Sequence, residues 1–170
     1  MEVMIEKLKL DDEKALFDFE TSNRSFFETL VPSRGDEFYI RPYFNLRLHA
    51  LLDEQEKGLS YFFLIKNSEH EIVGRVHLVD INEHGTGQIG YRVGEEYIGK
   101  GIAYQAVQQL LKEISQYKKV KVVEGKTTAN NIASQKVLEK NGFVYCGESK
   151  EGVDHFLHYK YEINEGLEEC

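Results

Sequence analysis

The sequence has few cysteines and prolines, no tryptophan and no long apolar run. Its only cysteines are Cys146 and Cys170, so disulfide bonds cannot form the framework of the fold, and we expect a reducing compartment. Proline occurs twice, and no low-complexity or repeated segment interrupts the 170 residues. These absences exclude solenoid repeats and interior linkers. We therefore expect one domain over residues 1–170, large enough to bury its own core.

Membrane and metal signals are also missing. No apolar stretch approaches the ~20 residues that a membrane helix requires, and the chain does not start with a basic segment followed by an apolar signal core. The sequence thus predicts a cytoplasmic protein without membrane contact. It contains no Cys-x-x-Cys or His-Glu-x-x-His spacing, and His155 and His158 would point to opposite faces of a strand. We expect no bound metal ion.

Positive charge is in short supply. The formal net charge is −8, which argues against a nucleic-acid partner because phosphates require a basic surface. An acidic surface could attract a cationic acceptor such as a polyamine or a basic peptide. It is also the ordinary surface of a cytosolic protein, and charge by itself favours this second interpretation.

The most informative stretch covers residues 88–111, in which a strand, a glycine-rich turn and a helix follow one another. Ile89, Tyr91 and Val93 alternate with less apolar residues at the strand period. Beyond Gly101 the apolar spacing becomes helical, with one face formed by Ala103, Ala106, Val107, Leu110, Leu111 and Ile114. The pattern predicts a helix that begins at a glycine turn and packs on a sheet.

A helix start with adjacent glycines can hold a phosphate, because its first N–H groups lack partners and glycine lets an anion approach the backbone. Gly99 and Gly101 flank Lys100 in this way. An ordinary glycine turn is an equally good interpretation of the spacing alone. Gly94 to Lys100 also reads G-x-x-x-x-G-K, but Gly101 replaces the Ser or Thr that ligates Mg²⁺ in phosphate-loop NTPases. The dinucleotide fingerprint fails too, since Tyr104 takes the place of its third glycine.

Two segments resemble the GCN5-related N-acetyltransferase (GNAT) superfamily. Residues 98–103, Ile-Gly-Lys-Gly-Ile-Ala, resemble its R/Q-x-x-G-x-G/A acyl-coenzyme A loop, and residues 89–93 resemble its central strand. Further along, Asn131-Ile-Ala-Ser134 and the Glu-Lys-Asn-Gly-Phe of residues 139–143 are similar to its N-x-x-S and E-K-x-G-F segments. Two matches in the right order are more specific than either one. Ile98 departs from the family's Arg or Gln, which puts a side-chain contact to phosphate in doubt there but leaves the backbone contacts.

The resemblance implies a mixed α/β fold, a strongly twisted sheet of about six or seven strands with roughly four helices. It also implies acetyl-coenzyme A as the co-substrate of an N-acetyltransferase. By the same resemblance, the residues that contact the coenzyme would be Arg92, Val93, Gly94, Ile98, Gly99, Lys100, Gly101, Ile102, Ala103, Asn131 and Ser134.

The resemblance also suggests catalytic roles. The backbone N–H of Val93 would polarise the thioester carbonyl, with strand pairing lost locally around residues 92–94. Ser134 would be the general acid for the thiolate, and Asn131 would bind the pantetheine amide; alternatively, Asn131 only caps the helix and Ser134 only faces the sheet. The amine attacks directly, so no cysteine is needed. The general base is not identified, and its candidates are Glu148, Glu151 and His77.

The end of the chain bears on the acceptor. Asp154-His155 followed by Tyr159 resembles the ending of the RimJ/RimL-type branch, which acetylates ribosomal-protein N-termini. This implies a protein N-terminal amine as acceptor. A polyamine, amino acid or drug amine is the alternative acceptor, and a non-catalytic acyl-coenzyme A sensor is the alternative class. A homodimer is compatible with the sequence.

The remaining pattern predicts the rest of the layout. An acidic cluster at residues 11–13 should start a first helix, Asn130 or Asn131 should cap a later one, and Asn141-Gly142 should end it. Residues 26–56 should be helical but broken at Pro32, Gly35 and Pro42. The predicted strands cover residues 3–10, 61–65, 72–79, 88–93, 120–123, 143–148 and 153–163.

Overall fold

A computed structural model describes residues 1–163, and Cys170 lies outside them. The strands are β1 (Met4–Lys7), β2 (Tyr61–Lys66), β3 (Ile72–Val79), β4 (Thr86–Val93), β5 (Val122–Thr128), β6 (Val144–Glu151) and β7 (Asp154–Glu162). The helices are α1 (Glu13–Ser22), α2 (Arg24–Glu28), α3 (Arg41–Glu56), α4 (Ile102–Ile114) and α5 (Ile132–Lys140). All seven strands form one sheet in the order β1-β2-β3-β4-β5-β7-β6, in which only β4 and β5 run parallel. The predicted mixed sheet with four main helices is confirmed.

Strand β2 shows how the sheet separates two cores. Its central side chains are buried on both faces, as a nearly continuous apolar run predicts. Phe62 and Leu64 pack into the cluster formed with α1, α2 and α3. Phe63 and Ile65 pack into the larger cluster formed with α4 and α5. The sheet is therefore covered by helices on both sides.

Helix α4 packs on the sheet through the predicted face. Ala106, Val107, Leu110 and Ile114 have no exposed surface, and Leu111 is also buried. The helix begins immediately after Gly101, which is its N-cap in the left-handed conformation. Hydrophobic burial along this face fixes the position of the helix start relative to β4.

The pairing of β4 with its two neighbours is unequal. Its antiparallel ladder with β3 continues to the pair Val93–Gly74, and Gly94 N–H donates to Val73 O at 2.8 Å. Its parallel ladder with β5 stops at the pair Gln88–Glu124. The predicted loss of pairing around residues 92–94 is thus wrong for the β3 side, because a tight hairpin keeps those two strands together. The strands that part are β4 and β5, which are joined by a long crossover through α4.

Several boundaries differ from the prediction, and one signal is confirmed. Strand β5 continues to Thr128 because β7 pairs with it along its whole length. Pro42 does not break α3 but lies in its first turn, where the missing N–H costs nothing. Strand β1 covers only Met4–Lys7. The capping signals of α5 are confirmed, since Asn131 precedes its first residue and Asn141 follows its last.

Candidate functional site

The glycine turn before α4 has the geometry of an open backbone cradle. Gly99 and Gly101 adopt φ angles of 77° and 75°, which favour glycine. A β-carbon at either position would meet no atom within 4 Å. The backbone here faces open space, and the fold does not itself require the small side chain for packing.

The cradle presents donors and positive potential. The amides of Ile102 and Ala103 belong to the first turn of α4 and have no intrahelical acceptor. Within residues 1–163, no hydrogen-bond acceptor is found for the amides of Gly99, Lys100 and Gly101 either. The positive end of the helix dipole adds to these donors. These features fit the diphosphate of a coenzyme.

Two neighbours of the cradle contribute less through their side chains. Ile98 is 55% exposed and apolar, so any contact from this position to a phosphate has to come from its backbone. The ammonium group of Lys100 lies 5.9 Å from the ring centroid of Tyr97, at the open rim. The predicted cradle therefore consists mainly of main-chain groups.

The parted strands leave the amide of Val93 without a strand partner. In an antiparallel ladder, hydrogen-bonded and non-hydrogen-bonded pairs alternate. Because Gly94 donates to Val73, the next pair, Val93–Gly74, is non-hydrogen-bonded. The N–H of Val93 therefore points away from β3 and towards the opening beside β5. This is the geometry that the predicted oxyanion donor requires.

The same alternation does not support Arg92 as a contact to the coenzyme. Arg92 pairs with Arg75 in a hydrogen-bonded position, so its amide faces β3. Its side chain lies on the opposite face of the sheet, with its guanidinium 4.7 Å from the ring centroid of Phe27. The amide of Gly94 is likewise used by β3. Strand register, which the sequence does not reveal, decides these orientations.

Ser134 lies on the α5 side of the opening and is hydrogen-bonded to a strand residue. Its Oγ is 2.7 Å from the hydroxyl of Tyr91 on β4. Its backbone N–H donates to Oδ1 of Asn131 at 3.1 Å, so Asn131 does cap the helix. The exposed amide of Asn131 also keeps its Nδ2 for another contact. Burial raises the pKa of Tyr91, although the Ser134 bond opposes this effect, and the phenol keeps its proton at neutral pH.

Tyr91 is a functional candidate that the sequence analysis treated only as an apolar strand residue. Its signal was present, since strand alternation places it on the same face as Val93. Its partner, however, lies 43 residues away on α5. The pairing of the two hydroxyls could be seen only in the folded chain.

A cavity of about 960 Å³ opens on the other face of the sheet. Its walls come from α1, residues 34–38, α3 and strands β2, β3 and β4. Among the aromatic residues of the segment 26–44, Phe38, Tyr43 and Phe44 line it. Phe27 is instead buried in the core of this side. Tyr91 and Arg92, the two residues that precede Val93 on β4, also line the cavity.

A buried carboxylate is surrounded by arginines at this cavity. Glu20 has no exposed surface, and its Oε1 accepts a 2.6 Å hydrogen bond from Arg75 Nη1. Its Oε2 lies 3.1 Å from Arg34 Nη1 and 3.8 Å from Arg92 Nη1. Burial alone would raise the pKa of Glu20, but the charges of Arg75 and Arg34 outweigh it and lower the pKa. Burial, together with the charge of Arg34, lowers the pKa of Arg92 to about 10.

The three candidate bases lie in different surroundings. His77 lines the cavity, and burial with the charges of Arg75 and Arg92 lowers its pKa to about 3. Its imidazole is thus neutral at physiological pH and a weak base. Glu148 is exposed and 2.8 Å from His155 Nε2, on the face of the hairpin that also carries Leu157. Glu151 forms a 2.6 Å ion pair with Lys126. Neither glutamate lines the cavity.

Residues 2–144 match the family model described as an acetyltransferase (GNAT) domain. The chain belongs to the GNAT acetyltransferase family. It is 28% identical over 154 residues to the probable N-acetyltransferase YjcK of Bacillus subtilis, covering 89% of this chain and 85% of the relative. GNAT enzymes transfer an acyl group from acyl-coenzyme A, so the predicted enzyme class is confirmed.

Solved GNAT structures share the fold over nearly the whole chain. Ribosomal-protein-S5-alanine acetyltransferase from Vibrio fischeri superimposes with a TM-score of 0.89 at 23% identity, covering 97% of this chain and 95% of that one. RimL, the ribosomal L7/L12 α-N-protein acetyltransferase solved with coenzyme A, superimposes with a TM-score of 0.80 at 18% identity, covering 94% of this chain and 93% of that one. The predicted resemblance to the RimJ/RimL-type enzymes is confirmed.

Residues 1–163 contain neither a helix that could span a membrane nor a cluster of side chains that could hold a metal ion. No helix of this part of the chain combines the length and apolarity needed to span a bilayer. In the same residues, no group of three or more His, Cys, Asp or Glu side chains is arranged to hold a metal ion.

Proposed function

We propose that this GNAT enzyme transfers the acetyl group of acetyl-coenzyme A to a primary amine, namely the α-amine at the N-terminus of a protein. The observation that carries the proposal is the opening between β4 and β5, with the unpaired amide of Val93 on one side and Ser134 on the other. The likeness to ribosomal-protein N-terminal acetyltransferases supports the choice of acceptor.

The coenzyme would bind through the backbone at one end of this opening. The amides of residues 99–103 would hold the diphosphate, with Lys100 at the rim. The pantetheine arm would then extend along the free edge of β4 towards Val93, within reach of the Nδ2 of Asn131. Ile98 would contribute through its main chain only.

The chemistry needs a stabilised oxyanion and a protonated leaving group. The amine nitrogen attacks the thioester carbonyl carbon, and the negative charge that develops on oxygen would be met by the N–H of Val93, a contact worth about 3 kcal/mol in comparable sites. The C–S bond then breaks. Ser134 would give its proton to the departing thiolate and recover one from the hydroxyl of Tyr91, which in turn takes a proton from solvent. The nitrogen, which is cationic after its attack, loses its remaining extra proton to solvent.

The ammonium form of the acceptor must lose a proton before attack. Glu148 remains one of the candidate bases, although its side chain lies outside the cavity. Glu37 is a carboxylate at the cavity wall and is exposed, so a water-mediated transfer to it is an equally direct route. The proton in either case passes to solvent.

Thiol release from acetyl-coenzyme A across a panel of amines tests the proposal. We expect release with peptides that carry a free N-terminus, and little with N-acetylated peptides or lysine side chains. Preference for a polyamine, amino acid or drug amine would support the small-amine alternative. Tight coenzyme binding without acceptor-dependent release would instead indicate a sensor.

The variant Ser134→Ala tests the acid role. We expect kcat to fall roughly 100-fold, the usual contribution of a positioned acid, while coenzyme affinity changes little. Ser115→Ala is the matched control, because Ser115 is an exposed serine at a helix end whose hydroxyl donates to the backbone oxygen of Lys112. Unchanged turnover in Ser134→Ala would remove Ser134 from this role.

A further inference from the structure

The acceptor cavity and the whole molecule have opposite charge. The chain carries a formal charge of −8, yet the cavity is lined by Arg34, Arg47, Arg75 and Arg92 and by a single acidic residue, Glu37, among the described residues. His77 is neutral. With Glu20 and Glu37 counted against the four guanidinium groups, two positive charges remain in excess.

The buried carboxylate does not satisfy these arginines. Arg75 is committed to Glu20 through a 2.6 Å hydrogen bond. Arg34 Nη1 forms an ion pair with Glu20 Oε2 at 3.1 Å, but the two atoms are not aligned for a hydrogen bond, and neither buried atom has a hydrogen-bond partner within residues 1–163. A buried donor without an acceptor costs free energy. The Arg34 side chain is 26% exposed and lines the cavity, so the rest of its guanidinium can reach a ligand there.

Arg47 supplies a second guanidinium at the cavity. It lies on α3, is exposed and lines the cavity. Within the part of the chain that the structure describes, no carboxylate forms an ion pair with it. A planar guanidinium pairs well with a carboxylate, whereas it repels an ammonium group. The pattern fits an anionic ligand and opposes a polycation.

We propose that the acceptor of this enzyme carries a carboxylate close to its reactive amine, and that Arg34 and Arg47 bind this carboxylate. The inference rests on the proposed acetyl transfer to an N-terminal amine and narrows its substrate class. It excludes polyamines and basic peptides as preferred acceptors. The carboxylate has two sources, either an acidic side chain next to a protein N-terminus or the free C-terminus of an amino acid or short peptide.

Four tetrapeptides with N-terminal alanine separate these sources. Their second residue is Asp or Asn, and their C-terminus is free or amidated; spermidine is the cationic control. We expect kcat/KM for at least one carboxylate-bearing peptide to exceed that of the amidated Asn peptide by about tenfold, the weight of one charge-assisted hydrogen bond. An advantage for Asp over Asn indicates a protein N-terminus, and an advantage for the free over the amidated C-terminus indicates a small acceptor.

Arg47→Gln provides the decisive variant, because Arg47 is exposed and its loss leaves the Glu20 cluster intact. We expect it to remove most of the advantage of the carboxylate-bearing peptides. Arg41→Gln is the matched control: Arg41 lies on the same helix, pairs with Glu13 outside the cavity and should leave the advantage unchanged. Equal kcat/KM within about twofold for all four peptides, a preference for spermidine, or a uniform loss in Arg47→Gln would overturn the proposal.

Binding of the N-acetylated peptides, measured by calorimetry in the presence of coenzyme A, separates this proposal from the proposed function. If no amine supports thiol release but the acetylated Asp or free-acid peptide binds about tenfold more tightly than the amidated Asn peptide, the carboxylate site stands and the reaction falls. Uniform or absent binding overturns the carboxylate site, whatever the turnover.

Discussion

The two functional regions beside β4 are built in different ways. The proposed coenzyme cradle consists of adjacent residues between β4 and α4, and the groups it offers are backbone amides. The proposed acceptor cavity combines side chains from α1, residues 34–38, α3, β2, β3 and β4. The cradle is thus specified by local sequence, whereas the cavity exists only after distant segments have packed together.

This difference explains why the two regions should tolerate side-chain substitutions to different degrees. Ile98 replaces a polar residue of the family loop, yet the φ angles of Gly99 and Gly101 retain the open turn. In the cavity, by contrast, Arg75 and Arg34 are held by Glu20, and the Arg34 guanidinium also lies 4.5 Å from the ring centroid of Phe38. A site made of backbone amides keeps its binding groups when a side chain is replaced, whereas a site made of side chains loses them.

The largest expected effect breaks the cradle. Gly101→Asp would place a carboxylate beside the coenzyme diphosphate at a φ of 75°, which L-residues rarely adopt. Like charges about 4 Å apart at a protein surface repel by about 4 kcal/mol, so we expect coenzyme affinity to fall roughly 1000-fold in calorimetry. Gly152→Asp is the control, because Gly152 has a φ of 64° and open surroundings in a distant hairpin. Equal affinities in the two variants would contradict the cradle.

The second-largest expected effect is a loss of stability caused by a substitution beside the cavity, which should leave the cradle unchanged. Glu20→Gln would remove the buried carboxylate and leave Arg34, Arg75 and Arg92 facing one another. We expect a loss of about 3 kcal/mol in the free energy of unfolding, as when one partner of a buried ion pair is removed. Asp18→Asn, on the same helix but in an exposed pair with Lys14, should change the stability little.

The pH dependence sharpens this prediction. Because the pKa of Glu20 is lowered from 4.5, its contribution to stability is present above pH 4.5 and is lost as the pH falls through its lower folded value. The stability difference between the wild type and Glu20→Gln should therefore narrow in acid. A constant difference measured by denaturant unfolding would argue against a stabilising charge at Glu20.

The smallest expected effect is the change in the free energy of unfolding per pH unit that results from the titration of His77 in the cavity. The pKa of His77 is lowered from 6.5 to about 3, so between these values the unfolded chain holds a proton that the folded chain does not. The contribution of neutral His77 to stability is fully present above pH 6.5. Below this pH, the free energy of unfolding should fall by about 1.4 kcal/mol for each pH unit. His77→Gln should flatten this slope in denaturant unfolding between about pH 7 and about pH 5. His84→Gln, at an exposed position, should keep it, and identical slopes in all three proteins would refute the assignment.

Much of the fold follows from local patterns. The apolar run of β2, the helical spacing after Gly101 and the stop signal at Asn141 were each sufficient because period, burial and capping are properties of neighbouring residues. Strand pairing was less predictable. Residues 92–94 were expected to lose pairing, but the chosen edge of β4 depends on how β5 and α4 are placed.

The sequence alone determined the strand, glycine turn and helix that make the cradle, because backbone conformation and unpaired amides depend on adjacent residues. Tertiary structure decided the rest. It directed the amide of Val93 to the open side of β4, brought Tyr91 to Ser134, and gathered arginines into a positive cavity in an acidic protein. The physical reason is that register and packing join residues far apart in the chain, whereas a net charge reports their sum and not their positions.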